Sequence, residues 1–231
     1  MKSITVTTFL IFIFCGSIAA SPLSVVAYVN DSPVEAAELK REMVRYRAVV
    51  YNEYAKAFDL SKVKDFWHTD FEGTTPMDSL RNKALKSLIE IKVQQQLLEE
   101  NRLWSYNTYG ELLAALEQEN EQRQQKALKK EIIYGPVVYS EQIFFDYKFS
   151  NALIVLKNSL AGNKIPVNDS LLLVHFDTLK SEGVYSAEKT FDNFKRQIMD
   201  SYIDRVYKRL LAKMVNETKV KTMKIYNEIV V

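Results

Sequence analysis

The chain has 231 residues, 47% of them hydrophobic and 26% charged, which is typical of a folded protein that buries a substantial core. The 31 Lys and Arg residues nearly balance the 29 Asp and Glu residues, and the two signs alternate along the chain. This pattern argues against a basic face for nucleic acid. Only 6 glycines and 5 prolines interrupt long stretches of helix-forming residues, so the composition favours a mostly α fold.

The first residues resemble a secretory signal. Lys2 precedes an apolar run over residues 4–18, and the small residues Ala19 and Ala20 follow it. We therefore predict a signal peptide at residues 1–20, cleaved after Ala19 or Ala20, and an extracytoplasmic mature chain, either periplasmic or secreted. The alternative is an uncleaved anchor, although the run is shorter than the roughly 20 residues that span a bilayer.

Cys15 is the single cysteine of the chain, and it lies within this segment. Phe14 precedes it, where lipidation of a cysteine requires a small residue. A mature chain without a thiol is expected to have no disulfide, no thiolate metal site and no cysteine nucleophile.

The segment behind the signal predicts a short strand followed by a long amphipathic helix. Residues 25–30 alternate as a strand does, and residues 35–58 carry apolar side chains at helical spacing. Two helix starts are consistent with the turn between them. Ser32 to Glu35 forms a complete capping-box pattern, whereas a later start near Glu35 places Glu38 at the third helical position and leaves Val34 extended. We favour the later start.

A second helix is predicted from Thr75, which is followed by Pro76 at the first helical position and by an acid at the third, and it continues to about Leu103. One face of this helix is apolar; its members are Leu80, Ala84, Leu88, Ile91 and Leu98. The next helical stretch, "YGELLAALEQENEQRQQKALKKEI", is apolar only near its start. A helix that is polar on all sides is solvent-bridging or marginal, and we expect this one to keep the protein soluble.

The second half of the chain predicts two more long helices and a closing strand. An aromatic-rich helix covers residues 140–160 and ends before Gly162, and another covers residues 188–218. Residues 163–186 connect them, with helical capacity at 171–179. Residues 223–230 alternate as a strand, and pairing with residues 25–30 would satisfy the backbone groups of both strands. The expected fold is a single, mostly α domain over residues 24–231, closed by a small sheet.

The opening "VVAYVNDSPVEAAEL" resembles that of the SurA/PrsA/PpiD group of extracytoplasmic folding factors. In that group Val-Val-Ala-x-Val-Asn-Gly precedes a β-branched residue, a Thr or Ser, and Glu-Leu. The matching residues here are Val25, Val26, Ala27, Val29, Asn30, Val34, Glu38 and Leu39. The resemblance implies a discontinuous helical chaperone core, with residues 24–162 as its first part and residues 187–231 as the returning helix and strand.

The chain departs from the family pattern in three ways. Asp31 replaces the usual turn glycine, and Glu35 replaces the usual Thr or Ser cap. In addition, the connector at 163–186 has no room for the parvulin-type prolyl isomerase domain that family members carry, which would be at least the size of a small independent domain. The resemblance therefore implies the chaperone core without the isomerase activity, and we expect a protein that is not an enzyme.

An aromatic set in the second half is the best candidate for peptide binding, because chaperones hold unfolded segments through exposed apolar surface. Its members are Tyr134, Tyr139, Phe144, Phe145, Tyr147 and Phe149. The alternative is that these residues form the core, as aromatic residues at helical spacing usually do. Phe144 and Phe145 are adjacent and cannot both face one narrow interface.

The two histidines, His68 and His175, are interpreted as structural because no nucleophile on a glycine turn and no zinc-ligand spacing accompanies them. We therefore expect no catalytic residue, no metal and no cofactor. The leading hypothesis is a chaperone-like protein whose partners are unfolded or partly folded exported polypeptides, bound in a groove between the long helices. The alternatives are a dedicated interaction subunit, including self-association, and a residual prolyl isomerase.

Overall fold

The structure, a computed structural model, describes residues 25–231. The predicted signal peptide at residues 1–20 and Cys15 lie outside the described residues. The described part forms β1 (Val25–Val29), β2 (Ser32–Glu35), α1 (Ala36–Ala57), α2 (Pro76–Glu100), α3 (Tyr109–Leu128), α4 (Glu141–Leu160), α5 (Asp169–Ser181), α6 (Phe191–Asn216) and β3 (Val220–Thr222). The described part also contains two 3₁₀-helices, Phe66–His68 and Lys224–Glu228.

The predicted mostly α class is confirmed, since 65% of the structure is helical. Four of the helices, α2 to α5, begin at a residue whose side chain caps the helix N-terminus. The Thr75 hydroxyl accepts a hydrogen bond from the Asp78 N–H, and the Ser140 hydroxyl accepts one from the Ile143 N–H. Thr108 and Asn168 cap α3 and α5 in the same way. Among residues 25–231, no helix combines the length and the apolar character needed to cross a membrane.

The predicted closure of the two ends is confirmed by a three-stranded antiparallel sheet in the order β2-β1-β3. Ala27 lies opposite Thr222, and Val29 lies opposite Val220. Asn30 adopts a φ of 52° at the turn, a conformation that asparagine tolerates better than most residues. Its side-chain oxygen also accepts a hydrogen bond from the Lys219 N–H at 3.1 Å. The strand β2 was not predicted.

The later start of α1 is confirmed, and the capping-box interpretation of Ser32 to Glu35 is wrong. Ser32 and Pro33 pair with β1 as part of strand β2, and Glu35 is the N-cap. The backbone N–H of Glu35 donates to the Glu38 carboxylate at 2.9 Å. Proline is compatible with β2 because an edge strand has a row of N–H groups that need no partner within the sheet.

The predicted strand at residues 223–230 is wrong, because the strand ends at Thr222 and a 3₁₀-helix follows. Two contacts with α2 account for the change. The buried Tyr226 donates its hydroxyl to Asn82 Oδ1 at 3.0 Å, and Arg81 Nη1 donates to the Ile229 carbonyl at 3.0 Å. The alternating apolar residues of this segment thus anchor the chain end on α2 instead of extending the sheet.

The core lies between α1 and α2 and extends beneath the remaining helices. The five residues predicted to form the apolar face of α2 are all buried. The same interface also buries charges, which the sequence pattern did not predict. Lys92 Nζ lies 2.8 Å from Glu38 Oε1, and the fully buried Glu42 accepts from Arg41 Nη2 at 3.1 Å and from the Ser87 hydroxyl at 2.9 Å. The α1–α2 interface therefore depends on paired charges as well as on apolar contact.

Candidate protein-docking surface

The six predicted peptide-binding aromatics do not share one surface. Phe144 and Phe145 are each 1% exposed and Phe149 is 8% exposed, so these three belong to the core. Tyr134 is 85% exposed and Tyr147 is 51% exposed. Tyr139 is half-buried between the two groups. Only the three tyrosines remain accessible for docking.

Phe144 and Phe145 are both buried because they face different neighbours. The Arg41 guanidinium lies 3.7 Å from the centre of the Phe145 ring, and Trp104 packs against that ring edge to face at 6.3 Å. Phe144 instead packs against Tyr139, with ring centres 6.2 Å apart. Successive helical residues point about 100° apart, so α4 uses the pair to join two interfaces.

The loop of residues 131–139 carries the exposed Tyr134, and two polar side chains of α3 hold it in place. Arg123 Nε donates to the Pro136 carbonyl at 2.9 Å, and its Nη2 donates to the Tyr134 carbonyl at 2.5 Å. Asn120 bonds to both backbone groups of Tyr139, donating to its carbonyl at 2.9 Å and accepting from its N–H at 2.7 Å. The side chains thus replace the backbone partners that a loop lacks.

The half-buried Tyr139 lies between two stabilising neighbours. Its ring stacks on the Tyr147 ring with centres 6.0 Å apart and planes 14° apart. On the α3 side, the Arg123 guanidinium lies 4.4 Å from its ring centre, within range of a cation–π contact. The loop is therefore tied to α3 by hydrogen bonds and to α4 by stacking.

These contacts build a small concave surface, which we call the aromatic platform: Ile132, Tyr134, Tyr139 and Tyr147. A cavity of about 310 Å³ lies among these residues, with Arg123 and Lys126 on its rim. Ile132 is 80% exposed. The platform combines apolar area, hydroxyl groups and two basic side chains.

Further exposed apolar side chains occur in the same part of the chain as the platform. On α4, Ile143 lies one turn before Tyr147, and both side chains are exposed. Leu128, Val137 and Val138 near the same loop are exposed as well. Single exposed apolar residues are ordinary on a soluble protein, whereas a concentration of them in one region marks an interaction site.

Sequence reasoning missed Asn120 and Arg123, which position the platform. Both lie in the stretch of α3 that was interpreted only as a solubilising polar helix. The groups that they bond lie 11 to 19 residues further along the chain, so no local spacing pattern predicts these hydrogen bonds. One face of the polar helix thus has a structural role, which supplements its expected role in solubility.

The histidines are placed as follows. His175 is buried, and its Nε2 lies 3.1 Å from the hydroxyl of Ser201 in the middle of α6, a neighbour that the sequence did not indicate. Burial, and next the nearby positive charge of Arg205, lowers the pKa of His175 below its ordinary value. Within residues 25–231 no carboxylate hydrogen-bonds to this ring. His68 lies on the surface, where its Nδ1 is 3.0 Å from Asp65 Oδ1.

In the described part of the chain, no three His, Cys, Asp or Glu side chains come together as a metal site. Comparison of the sequence with protein-family models, with curated proteins and with solved structures finds no match. The resemblance to the extracytoplasmic folding factors therefore stays a prediction from the residues that carry it.

Proposed function

We propose that this protein is an extracytoplasmic chaperone-like domain that binds unfolded or partly folded exported polypeptides without covalent chemistry. The observation that carries the proposal is the aromatic platform. Ile132, Tyr134 and Tyr139 lie on a loop fixed by Asn120 and Arg123, and Tyr147 lies beside them on α4; all four are partly or largely exposed. Several exposed aromatic and aliphatic side chains around one cavity are typical of a protein-binding surface.

The chemistry of the platform suits clients of varied sequence. Tyrosine offers a large, stiff apolar ring with a hydroxyl, so it can contact either an apolar side chain or a polar backbone group. Because the loop is already ordered, a client does not have to supply the free energy of ordering it. A surface of this size is expected to bind with a Kd on the order of micromolar, which allows release of the client.

The architecture also supports the proposal. A sheet that joins both ends of the chain, with helices between, agrees with the discontinuous core implied by the resemblance. The connector at 163–186 contains the helix α5 in place of a parvulin-type insert. The proposed activity is therefore holding of the client, and no isomerase step is included.

The test is suppression of aggregation of a denatured client protein by the mature domain, compared with a variant carrying Tyr134→Ser and Tyr147→Ser. We expect the variant to lose most of the suppression and to bind fluorescent apolar peptides at least tenfold more weakly. Val174→Ser is the control, because Val174 is an apolar residue on α5, outside the platform, whose exposure lies between those of Tyr134 and Tyr147. Equal activity of all three proteins would refute the proposal.

The fixed geometry of the loop favours a second candidate, a dedicated subunit that docks one folded partner on the same platform. A rigid surface favours one complementary shape, whereas promiscuous binders commonly use flexible ones. Affinity capture with the mature domain distinguishes the two. A single partner at fixed stoichiometry supports the dedicated subunit, and many weakly held clients support the chaperone.

A further inference from the structure

A second cavity, of about 230 Å³, lies between the β1–β2 turn, α2 and the segment that leads into α3. It shares no residue with the aromatic platform. Its polar and aromatic lining includes Asp31, Glu38, Lys92, Gln95, Glu99 and Trp104. The volume suits a group the size of one long side chain.

Gln95 is the feature of this cavity that the fold leaves unexplained. The residue is only 8% exposed and lines the cavity, and its carboxamide forms no hydrogen bond to another residue within 25–231. Gln142 Nε2, and no atom of Gln95, is the side-chain polar atom of the described chain that is both buried and without a partner, so the Gln95 carboxamide reaches the solvent that fills the cavity. The carboxamide is therefore placed to bond with something that enters the cavity.

The charged residues around the cavity determine whether it favours a positively or a negatively charged ligand. Of the four charged side chains that line it, Lys92 is the single cation, and it is already paired with Glu38 at 2.8 Å. Asp31 and Glu99 are exposed and form no ion pair within the described chain. Two carboxylates without counter-charges remain, so the cavity disfavours an anion and attracts a cation.

The aromatic wall fits the same ligand. Trp104 is 9% exposed, and its ring packs edge to face on Tyr106 with centres 5.1 Å apart. Both residues line the cavity. Indole and phenol faces attract ammonium and guanidinium groups, and they attract them more strongly where water is partly excluded.

We propose that this cavity binds an organic cation, either a primary ammonium or a guanidinium. Gln95 accepts a hydrogen bond from the cationic group through its carbonyl oxygen, Glu99 and Asp31 supply the counter-charge, and Trp104 contributes a cation–π contact. The group can belong to a free amine or to a basic side chain of a polypeptide. The proposal rests on this cavity alone and does not depend on the function of the platform.

The experiment is calorimetric titration of the mature protein with three probes: agmatine, an end-capped arginine peptide, and butyrate as an anionic control. We expect both cations to bind in the range of about 10 μM to 1 mM and butyrate not to bind. Binding of agmatine at least tenfold tighter than the peptide assigns a free amine as the ligand. The reverse order assigns a basic side chain.

Two variants and a matched control locate the site. We expect Gln95→Leu to weaken agmatine binding at least tenfold while the midpoint of thermal unfolding stays unchanged, because the carboxamide bonds to no other group of the described chain. Glu99→Gln should weaken binding roughly three- to tenfold. Glu100→Gln, the same substitution at the neighbouring exposed residue outside the cavity, should leave it unchanged.

The proposal is overturned if neither cation binds below about 1 mM, or if butyrate binds as well as agmatine. Equal affinities in Glu99→Gln and Glu100→Gln also overturn it, and this comparison needs no change in the buried core. A lower unfolding midpoint for Gln95→Leu would contradict the claim that Gln95 lacks a structural partner.

Discussion

Replacing Glu42 by alanine tests the unexpected part of the core, the buried charges between α1 and α2. Glu42 is fully buried and accepts hydrogen bonds from Arg41 Nε at 3.2 Å, from Arg41 Nη2 at 3.1 Å and from the Ser87 hydroxyl at 2.9 Å. Its removal leaves the Arg41 side chain, only 3% exposed, with the Tyr109 hydroxyl as a neutral partner at 3.2 Å.

A buried charge left without its counter-charge costs about 3–5 kcal/mol of folding free energy. A domain of this size is stable by about 5–15 kcal/mol, so Glu42→Ala should lose about a fifth or more of the total free energy of unfolding. In urea, with an m value of about 2–3 kcal/mol/M, the unfolding midpoint should fall by about 1–2.5 M.

Glu53→Ala provides the matched control, since Glu53 also links α1 to α2. Its carboxylate pairs with Lys83 Nζ at 2.6 Å, but its side chain is 53% exposed. An exposed pair contributes about 0–1 kcal/mol, so this variant should unfold close to the wild-type midpoint. Equal losses of unfolding free energy in Glu42→Ala and Glu53→Ala would refute the conclusion that Glu42 is a buried counter-charge excluded from water.

The remaining predictions concern a histidine and the two classes of aromatic residue. Because the pKa of His175 is lowered in the fold, the unfolded chain takes up a proton first as the pH falls, so the free energy of unfolding should decrease below about pH 6.5. His175→Gln should flatten this dependence in urea titrations compared between neutral and mildly acidic buffer, and a parallel pH profile would contradict the buried placement. In thermal and urea unfolding, Phe145→Ala should cost about 3–5 kcal/mol, whereas Tyr134→Ala should change stability by about 0.5 kcal/mol or less. The reverse order would contradict the division of the aromatic set into core and surface.

The helices could be predicted because their signals are local. Thr75 and Ser140 mark helix starts through caps that act within three residues, and apolar spacing marks the buried face of α2. The pairing of the two chain ends was also predictable, since two lone strands need each other. The point at which the C-terminal strand ends could not be predicted, because Arg81 and Asn82 of α2 form hydrogen bonds with residues nearly 150 positions away. Tertiary contact overrode the alternating pattern of that segment.

The candidate site was predicted only in part, for a related reason. Exposed and buried aromatic residues look alike in sequence, and the side of α4 on which Phe145 or Tyr147 lies depends on which helices pack beside it. The clamp by Arg123 consists of hydrogen bonds to backbone carbonyls, which any residue type supplies. In the sequence, the buried Arg41 and Glu42 likewise look like exposed polar residues. Only the folded chain shows their partners on α2 and α3.

The measurement that tests the central claim most directly is a nuclear magnetic resonance titration of the isotope-labelled mature domain with a reduced, alkylated protein that stays unfolded. If the aromatic platform holds clients, the amide signals of residues 132–139 and 143–147 shift or broaden first, and Tyr134→Ser combined with Tyr147→Ser abolishes the change. Shifts that avoid the platform, or that persist in the double variant, would contradict the account.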